Sequence, residues 1–163
     1  MRYVPFLLGV LLLAGSLRAE DAGMSVRAKV DSIDGDLANN MIGVVSLTGE
    51  WTRNTASQIL SKIKMEKRPQ SVKFTKNVDK TTPEFVKRAS DGVSIVSVQF
   101  YFYTKMANAP EVNYFTITLK NVTVTKSTIT TDPTGKAVEE VVLDYENCDL
   151  KSVTGNAEFH TEK

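Results

Sequence analysis

Histidine, cysteine and paired carboxylates are the groups through which a chain of this size would do chemistry near neutral pH, and here they are sparse and scattered. His160 is the sole histidine and Cys148 the sole cysteine. A Ser-His-Asp constellation needs an imidazole held in place by a rigid frame, and the polar tail around His160 does not predict one. One histidine and one cysteine also fall short of a tetrahedral zinc set. Glu139 and Glu140 are neighbours in a predicted strand, so they point to opposite faces and cannot act together on one substrate. Asp31, Asp34 and Asp36, with Asn39 and Asn40, gather oxygen atoms, but D-x-x-D-x-D is not the EF-hand spacing and the later bidentate Glu is missing. The chain has no glycine-rich phosphate loop and no HExxH. These residues predict no catalytic residue, no metal site and no cofactor: the chain reads as a non-enzyme.

The cations Lys62, Lys64, Lys67, Arg68, Lys73 and Lys76 pose a different question. A nucleic-acid site would pair them with stacking aromatics, and residues 52 to 73 contain none. They read as a solvated face, with no nucleic-acid partner. The formal net charge of +1 gives no global field toward an anionic partner. Asn121-Val122-Thr123 matches the glycosylation sequon, which has meaning only in a eukaryotic secretory pathway. A lone cysteine allows no internal disulfide, so the fold must stand on packing alone.

The first residues have the layout of a secretory signal peptide. Arg2 supplies the positive charge, Val4 to Leu13 is almost wholly apolar, and Ala14-Gly15-Ser16 begins a small-residue exit. Leu17-Arg18-Ala19 is the expected cleavage site, with the cut between Ala19 and Glu20. The apolar run is short of the ~20 residues that span a bilayer, so no stable membrane insertion is expected after processing. Removing Arg2 and Arg18 leaves 18 basic against 19 acidic residues, a mature charge of −1. Residues 1–19 are therefore read as a signal peptide and 20–163 as one domain of an exported protein, periplasmic or secreted. Its length suffices for a core.

The elements that must position any site are mostly strands. Val26, Ala28 and Val30 alternate with polar residues. Asp34-Gly35-Asp36 signals a turn, with Gly35 free to take a positive φ, and Met41 to Leu47 reads as a buried strand. Residues 51 to 70 read either as a short amphipathic helix or as an extended basic loop. Val72 and Phe74 resume the strand pattern. Thr81 and Glu84 stand at capping-box spacing, Pro83 lies in the first turn, and Gly92 supplies the stop, which predicts a helix over about 82–90. Val93 to Lys105 is a long aromatic strand and Met106 to Val112 a hairpin loop. Asn113 to Lys120 and Val122 to Thr130 read as two further strands. Asp132-Pro133-Thr134-Gly135 is a turn, Val138 to Tyr145 another strand, and Ser152 to Lys163 contains a weak last one. The profile is all-β: a small β-barrel or two-sheet sandwich with one short flanking helix.

Phe74-Thr75-Lys76 followed by Asp79-Lys80-Thr81-Thr82-Pro83 resembles the F-x-K-x-x-D-K-x-S-P block of the haemolysin-coregulated protein family, Hcp. Phe74, Lys76, Asp79, Lys80, Pro83 and then Gly92 are the positions that carry the likeness. Val30-Asp31-Ser32-Ile33-Asp34-Gly35-Asp36 is similar to that family's opening strand and turn. Tyr114 to Val122 is similar to its Y-x-x-I-x-L-x-D-V pair of strands, and Glu139/Glu140-Val141-Leu143 to its E-x-V-x-L strand. The blocks keep their order over about residues 25 to 149.

The resemblance implies a small barrel that closes into homohexameric rings, which stack into the tube of the type VI secretion system. It implies effector proteins in the lumen and secretion-machine components as further partners. It also implies a ring-docking loop, for which residues 51 to 70 are the candidate. The family's tube subunits assemble in the cytoplasm and normally carry no signal peptide. The other reading of the residues is an exported β-sandwich that binds protein or glycan, with Phe100-Tyr101-Phe102-Tyr103 as its face.

Overall fold

The computed structural model describes residues 23–49, 70–105, 110–153 and 158–161. The signal-peptide reading, including Ala19 and Glu20, lies outside these residues. So do the helix-or-loop segment before Gln70 and most of the hairpin loop around Pro110.

The strands are β1 (Met24–Val30), β2 (Ile42–Gly49), β3 (Gln70–Asn77), β4 (Ile95–Thr104), β5 (Val112–Thr131), β6 (Ala137–Tyr145), β7 (Asn147–Ser152) and β8 (Glu158–Thr161), with one helix, α1 (Thr82–Asp91), between β3 and β4. All pairings are antiparallel, in the order β4-β1-β2-β3-β6-β5-β7-β8, and β4 also pairs β5. That extra pairing closes six strands into a barrel, so the expected all-β barrel with one flanking helix is what forms. Closure gives each of those six strands a neighbour on both sides, and β7 and β8 extend the sheet beyond the barrel.

Alternation explains which residues fill the barrel. Ala28 and Val30, Val72 and Phe74, Val98 and Phe100, Ile117 and Leu119, and Val141 and Leu143 all point inward and are buried. Phe74 sits at the centre, edge-on to Phe85 of α1 at 5.8 Å and to Phe100 of β4 at 5.5 Å between ring centroids. Such edge-to-face pairs add to the area they bury.

Two predicted strands are one. β5 runs through Asn121, which takes φ 51° and bends the strand without ending it. Its first half pairs β4 and β7, its second half β6. Asn tolerates this left-handed conformation better than most residues. The strand β7 has no counterpart in the sequence reading. It continues β6 after Glu146, whose N–H donates to the Lys120 carbonyl at 3.1 Å.

Gly35 is needed for a reason other than the one expected. It has no positive φ; a Cβ there would stand 2.0 Å from the Met41 carbonyl oxygen, because the loop folds back on itself.

The strand ends gather at two poles. The starts of β1, β3 and β5 and the ends of β2, β4 and β7 form one pole, the mouth. The ends of β1, β3 and β5 and the starts of β2, β4 and β6 form the other, where α1 packs against β5.

Candidate functional site

The block from Phe74 to Pro83 folds into a buried polar junction between the barrel and α1. The inward positions of β3 are Val72, Phe74 and Lys76, so strand geometry delivers an ammonium to the interior. The inward positions of β6 are Glu139, Val141, Leu143 and Tyr145, and the register sets Glu139 directly opposite Lys76. Both side chains are 0% exposed.

The Lys76 Nζ is surrounded by four oxygens: the Asp79 carboxylate at 2.7 Å, the Asn77 carbonyl at 2.9 Å, Glu139 Oε2 at 3.0 Å and the Thr82 hydroxyl at 3.1 Å. Glu139 is satisfied on both oxygens, accepting from the Thr82 hydroxyl and the Ser127 hydroxyl at 2.7 Å each. Asp79 accepts from the Thr81 hydroxyl at 2.6 Å and the Thr81 N–H at 2.8 Å. Burial alone would raise the Asp79 carboxyl. The hydrogen bonds from Lys76 and Thr81 outweigh it and hold that carboxyl below the ordinary aspartate value.

Two carboxylates thus share one ammonium, and the start of α1 supplies the rest of the balancing field. A buried charge is tolerated only when paired and hydrogen-bonded, and this junction meets that condition on every atom named. Chemically it is a clamp. The Lys76 amine is enclosed by its partners, and the Thr81, Thr82 and Ser127 hydroxyls are spent as donors to the two carboxylates.

The remaining motif positions shape α1 and its approach to the barrel. Pro83 lies in the first turn of α1, where a missing N–H costs nothing. The expected capping box does not form: the Thr81 hydroxyl is turned to Asp79, and Glu84 accepts from Arg88 Nε at 3.2 Å. Gly92 closes the helix in the left-handed conformation, φ 65°, its N–H donating to the Arg88 carbonyl at 3.0 Å. Lys80 points to the surface and meets Asp36 at 3.3 Å, tying α1 to the β1–β2 loop.

The sequence reading missed Glu139 and Thr82 as partners of Lys76, and Ser127 as a partner of Glu139. A signal was present: Lys76 and Glu139 occupy inward positions of otherwise apolar strands, and two lone opposite charges in a core demand each other.

The dispersed groups do not converge. Glu139 is interior and Glu140 exterior, where Glu140 meets Lys73 at 3.2 Å and Lys126 at 3.9 Å. Cys148 is fully buried in β7, and His160 lies in β8 opposite Asp149. Among the described residues no three His, Cys, Asp or Glu side chains are grouped to hold a metal ion. Nor is any helix among them long and apolar enough to cross a membrane.

A second clasp lies at the mouth. Glu111 pairs with Arg27 and accepts from the Ser25 hydroxyl at 2.6 Å, while the Arg27 guanidinium lies 4.6 Å from the centre of the Tyr103 ring. It fixes the start of β5 to β1 across the outer face.

Known proteins share this architecture. The Hcp1 structure from Salmonella typhimurium superposes with a TM-score of 0.67 at 17% identity, covering 85% of this chain and 92% of that one. A double mutant of Hcp1 from E. coli EAEC 042 gives 0.64 at 24% identity, over 86% and 98%. A type VI secretion system effector from Yersinia pestis gives 0.64 at 19% identity, over 85% and 99%. No curated protein matches the chain in sequence. The family model described as "Type VI secretion system effector, Hcp" matches residues 28–151, more than half of the chain and all six barrel strands from Ala28 on. The chain belongs to the Hcp family of type VI secretion.

Proposed function

We propose that this protein is an exported, ring-forming tube subunit of the type VI secretion kind. The observation that carries the reading is the family match across the closed barrel, residues 28–151. A tube subunit needs no active site; it needs heterologous surfaces that close on themselves. The buried clamp suits that work, because it locks helix to barrel in a body that must hold its shape under load.

The ring is a homohexamer, and its lumen takes small effector proteins. β8 is the outermost strand of the sheet, with its far edge unpaired among the described residues, and it is our candidate for the lateral contact. Residues 51 to 70 are the candidate docking segment, and the strand ends that flank them, at Gly49 and Gln70, both lie at the mouth. Residues 1–19 direct export and are removed between Ala19 and Glu20, which leaves a single barrel domain outside the cytoplasm. No catalytic role is proposed.

The test is the mass of the processed chain, Glu20 to Lys163, by size exclusion with light scattering, followed by negative-stain imaging. The expected result is six subunits and ring-shaped particles. A monomer at every concentration would remove ring assembly and put the protein- or glycan-binding module in its place. N-terminal sequencing of the exported protein should begin at Glu20.

A further inference from the structure

The strand β4 sorts its aromatic residues by side. Phe100 and Phe102 turn toward the core, and Tyr101 and Tyr103 turn out, where they are half-buried. The two tyrosine rings have their centres 6.4 Å apart and their planes within 32° of each other. The other ring pairs among the described residues meet edge-on, at 64° to 73°. Both outward rings are already fixed. The Tyr101 hydroxyl donates to Gln99 at 2.6 Å, and the Arg27 guanidinium lies 4.6 Å from the centre of the Tyr103 ring. A side chain held in place beforehand loses little freedom when a ligand settles on it.

We infer that this outer face of β1, β4 and β5 binds a neutral glycan, with sugar rings packed on Tyr101 and Tyr103. The surroundings of the rings set the ligand class. The ladder places Tyr101 between Arg27 and Thr116, and Gln99 opposite Thr118. Hydroxyls and an amide offer donors and acceptors together, which suits sugar hydroxyls that are themselves both. Burial, with Tyr103 beside it, raises the Tyr101 hydroxyl above the ordinary tyrosine value, so it stays a neutral donor. At the border Arg27 pairs with Glu111, and Lys120 with Asp149 at 2.7 Å. The central positions Gln99, Tyr101, Tyr103, Thr116 and Thr118 carry no charge that would select an anion or a cation.

A protein partner needs a different surface. Protein contacts are built on a contiguous apolar centre, and none of the well-exposed large apolar side chains among the described residues occupies those central positions. Met24 and Val112 share a row with Thr104, which alternation places on the inward side of β4 with Phe100 and Phe102. A sugar ring has apolar C–H faces and a rim of hydroxyls. That matches a tyrosine, which has an apolar body and a polar tip. The site lies within one copy of the chain, so it does not depend on ring assembly.

Calorimetry of the processed chain with cellohexaose, maltohexaose and chitohexaose tests the site. At least one of these sugars should bind with a dissociation constant of about 1 mM or tighter. Tyr101→Ala and Tyr103→Ala should each weaken that binding by about tenfold. Tyr101→Phe keeps the ring and should lose less than Tyr101→Ala. Val93→Ala, at the pole where α1 packs, should change nothing. Thermal midpoints show whether each variant keeps its fold; if Tyr101→Ala does not, Tyr103→Ala and Tyr101→Phe carry the comparison. No binding of any of the three sugars at about 10 mM would overturn the proposal, and so would binding that survives the loss of either ring. Thiol labelling supplies the remaining outcome, since the native Cys148 is fully buried and does not compete. A Tyr101→Cys thiol that reacts with a maleimide equally at low and high protein concentration supports an open face. A thiol shielded at high concentration would assign the face to a contact between copies and overturn the glycan site.

Discussion

Lys76 and Glu139 face each other across the β3–β6 ladder with neither side chain in contact with solvent, and Lys76 Nζ stands 3.0 Å from Glu139 Oε2. Removing one member leaves the other buried and uncompensated, at a cost of about 3–5 kcal/mol. Lys76→Met should therefore lower the urea midpoint sharply. Adding Glu139→Gln removes the stranded charge and keeps an oxygen and an amide for Thr82 and Ser127. The double variant should recover more than half of the loss. Equal stability of the single and double variants would mean the pair is not coupled.

Acid should loosen the same junction from the Asp79 side. The folded-state pKa of Asp79 is depressed by Lys76 and Thr81, so the carboxylate contributes stability above its unfolded value of about 3.9. That contribution disappears as pH falls from there through the folded pKa. Asp79→Asn should lose stability at pH 7 and converge on the parent in acid. Parallel urea curves at pH 7 and pH 3 decide it; a constant gap between the two proteins would show that Asp79 acts by shape and not by charge.

Two glycines should fail for different reasons. At Gly35 an added Cβ would lie 2.0 Å from the Met41 carbonyl oxygen, and the obstacle is backbone. At Gly92 nothing lies within 4 Å, but φ is 65°. Gly92→Ala should cost about 1 kcal/mol, with Asn milder than Ala. Gly35→Ala must displace the β1–β2 loop and should cost clearly more. Chemical denaturation of both variants ranks them, and the reverse order would refute the steric account.

Much of this architecture is legible in the residues because strand alternation and helix punctuation are local. Val26-Ala28-Val30, the Pro83 start and the Gly92 stop mark β1 and α1 without reference to anything distant. Closure of the barrel is not local: it depends on β4 meeting β5 as well as β1, which no single segment encodes. The continuity of β5 was hidden because Asn121 punctuates like a loop residue while the ladder on both sides carries the strand through it. The clamp was half visible. The positions from Phe74 to Pro83 stood out as a block, but the partner Glu139 comes from a strand 57 residues beyond Thr82, and only the β3–β6 register joins them. The capping box fails because Asp79 takes the place of Glu84: its carboxylate accepts the Thr81 N–H, and the Thr81 hydroxyl donates to the same oxygen.

Asp144 shows the opposite electrostatics to Asp79. It lies on the outer face of β6, across the ladder from Ser71 and Thr123, and burial pushes its carboxyl above the ordinary aspartate value. A folded-state pKa raised above the unfolded one means the native state binds the proton more tightly, so the ionised group opposes folding at neutral pH. That penalty is present above the folded pKa. It fades as pH falls and is gone once both states are protonated, below about pH 4. Asp144→Asn removes the charge at nearly constant size. It should raise the thermal midpoint at pH 7 and leave it unchanged at pH 3. A lower midpoint at pH 7 would mean that the carboxylate is favourably engaged in the folded protein, and the desolvation account would fall.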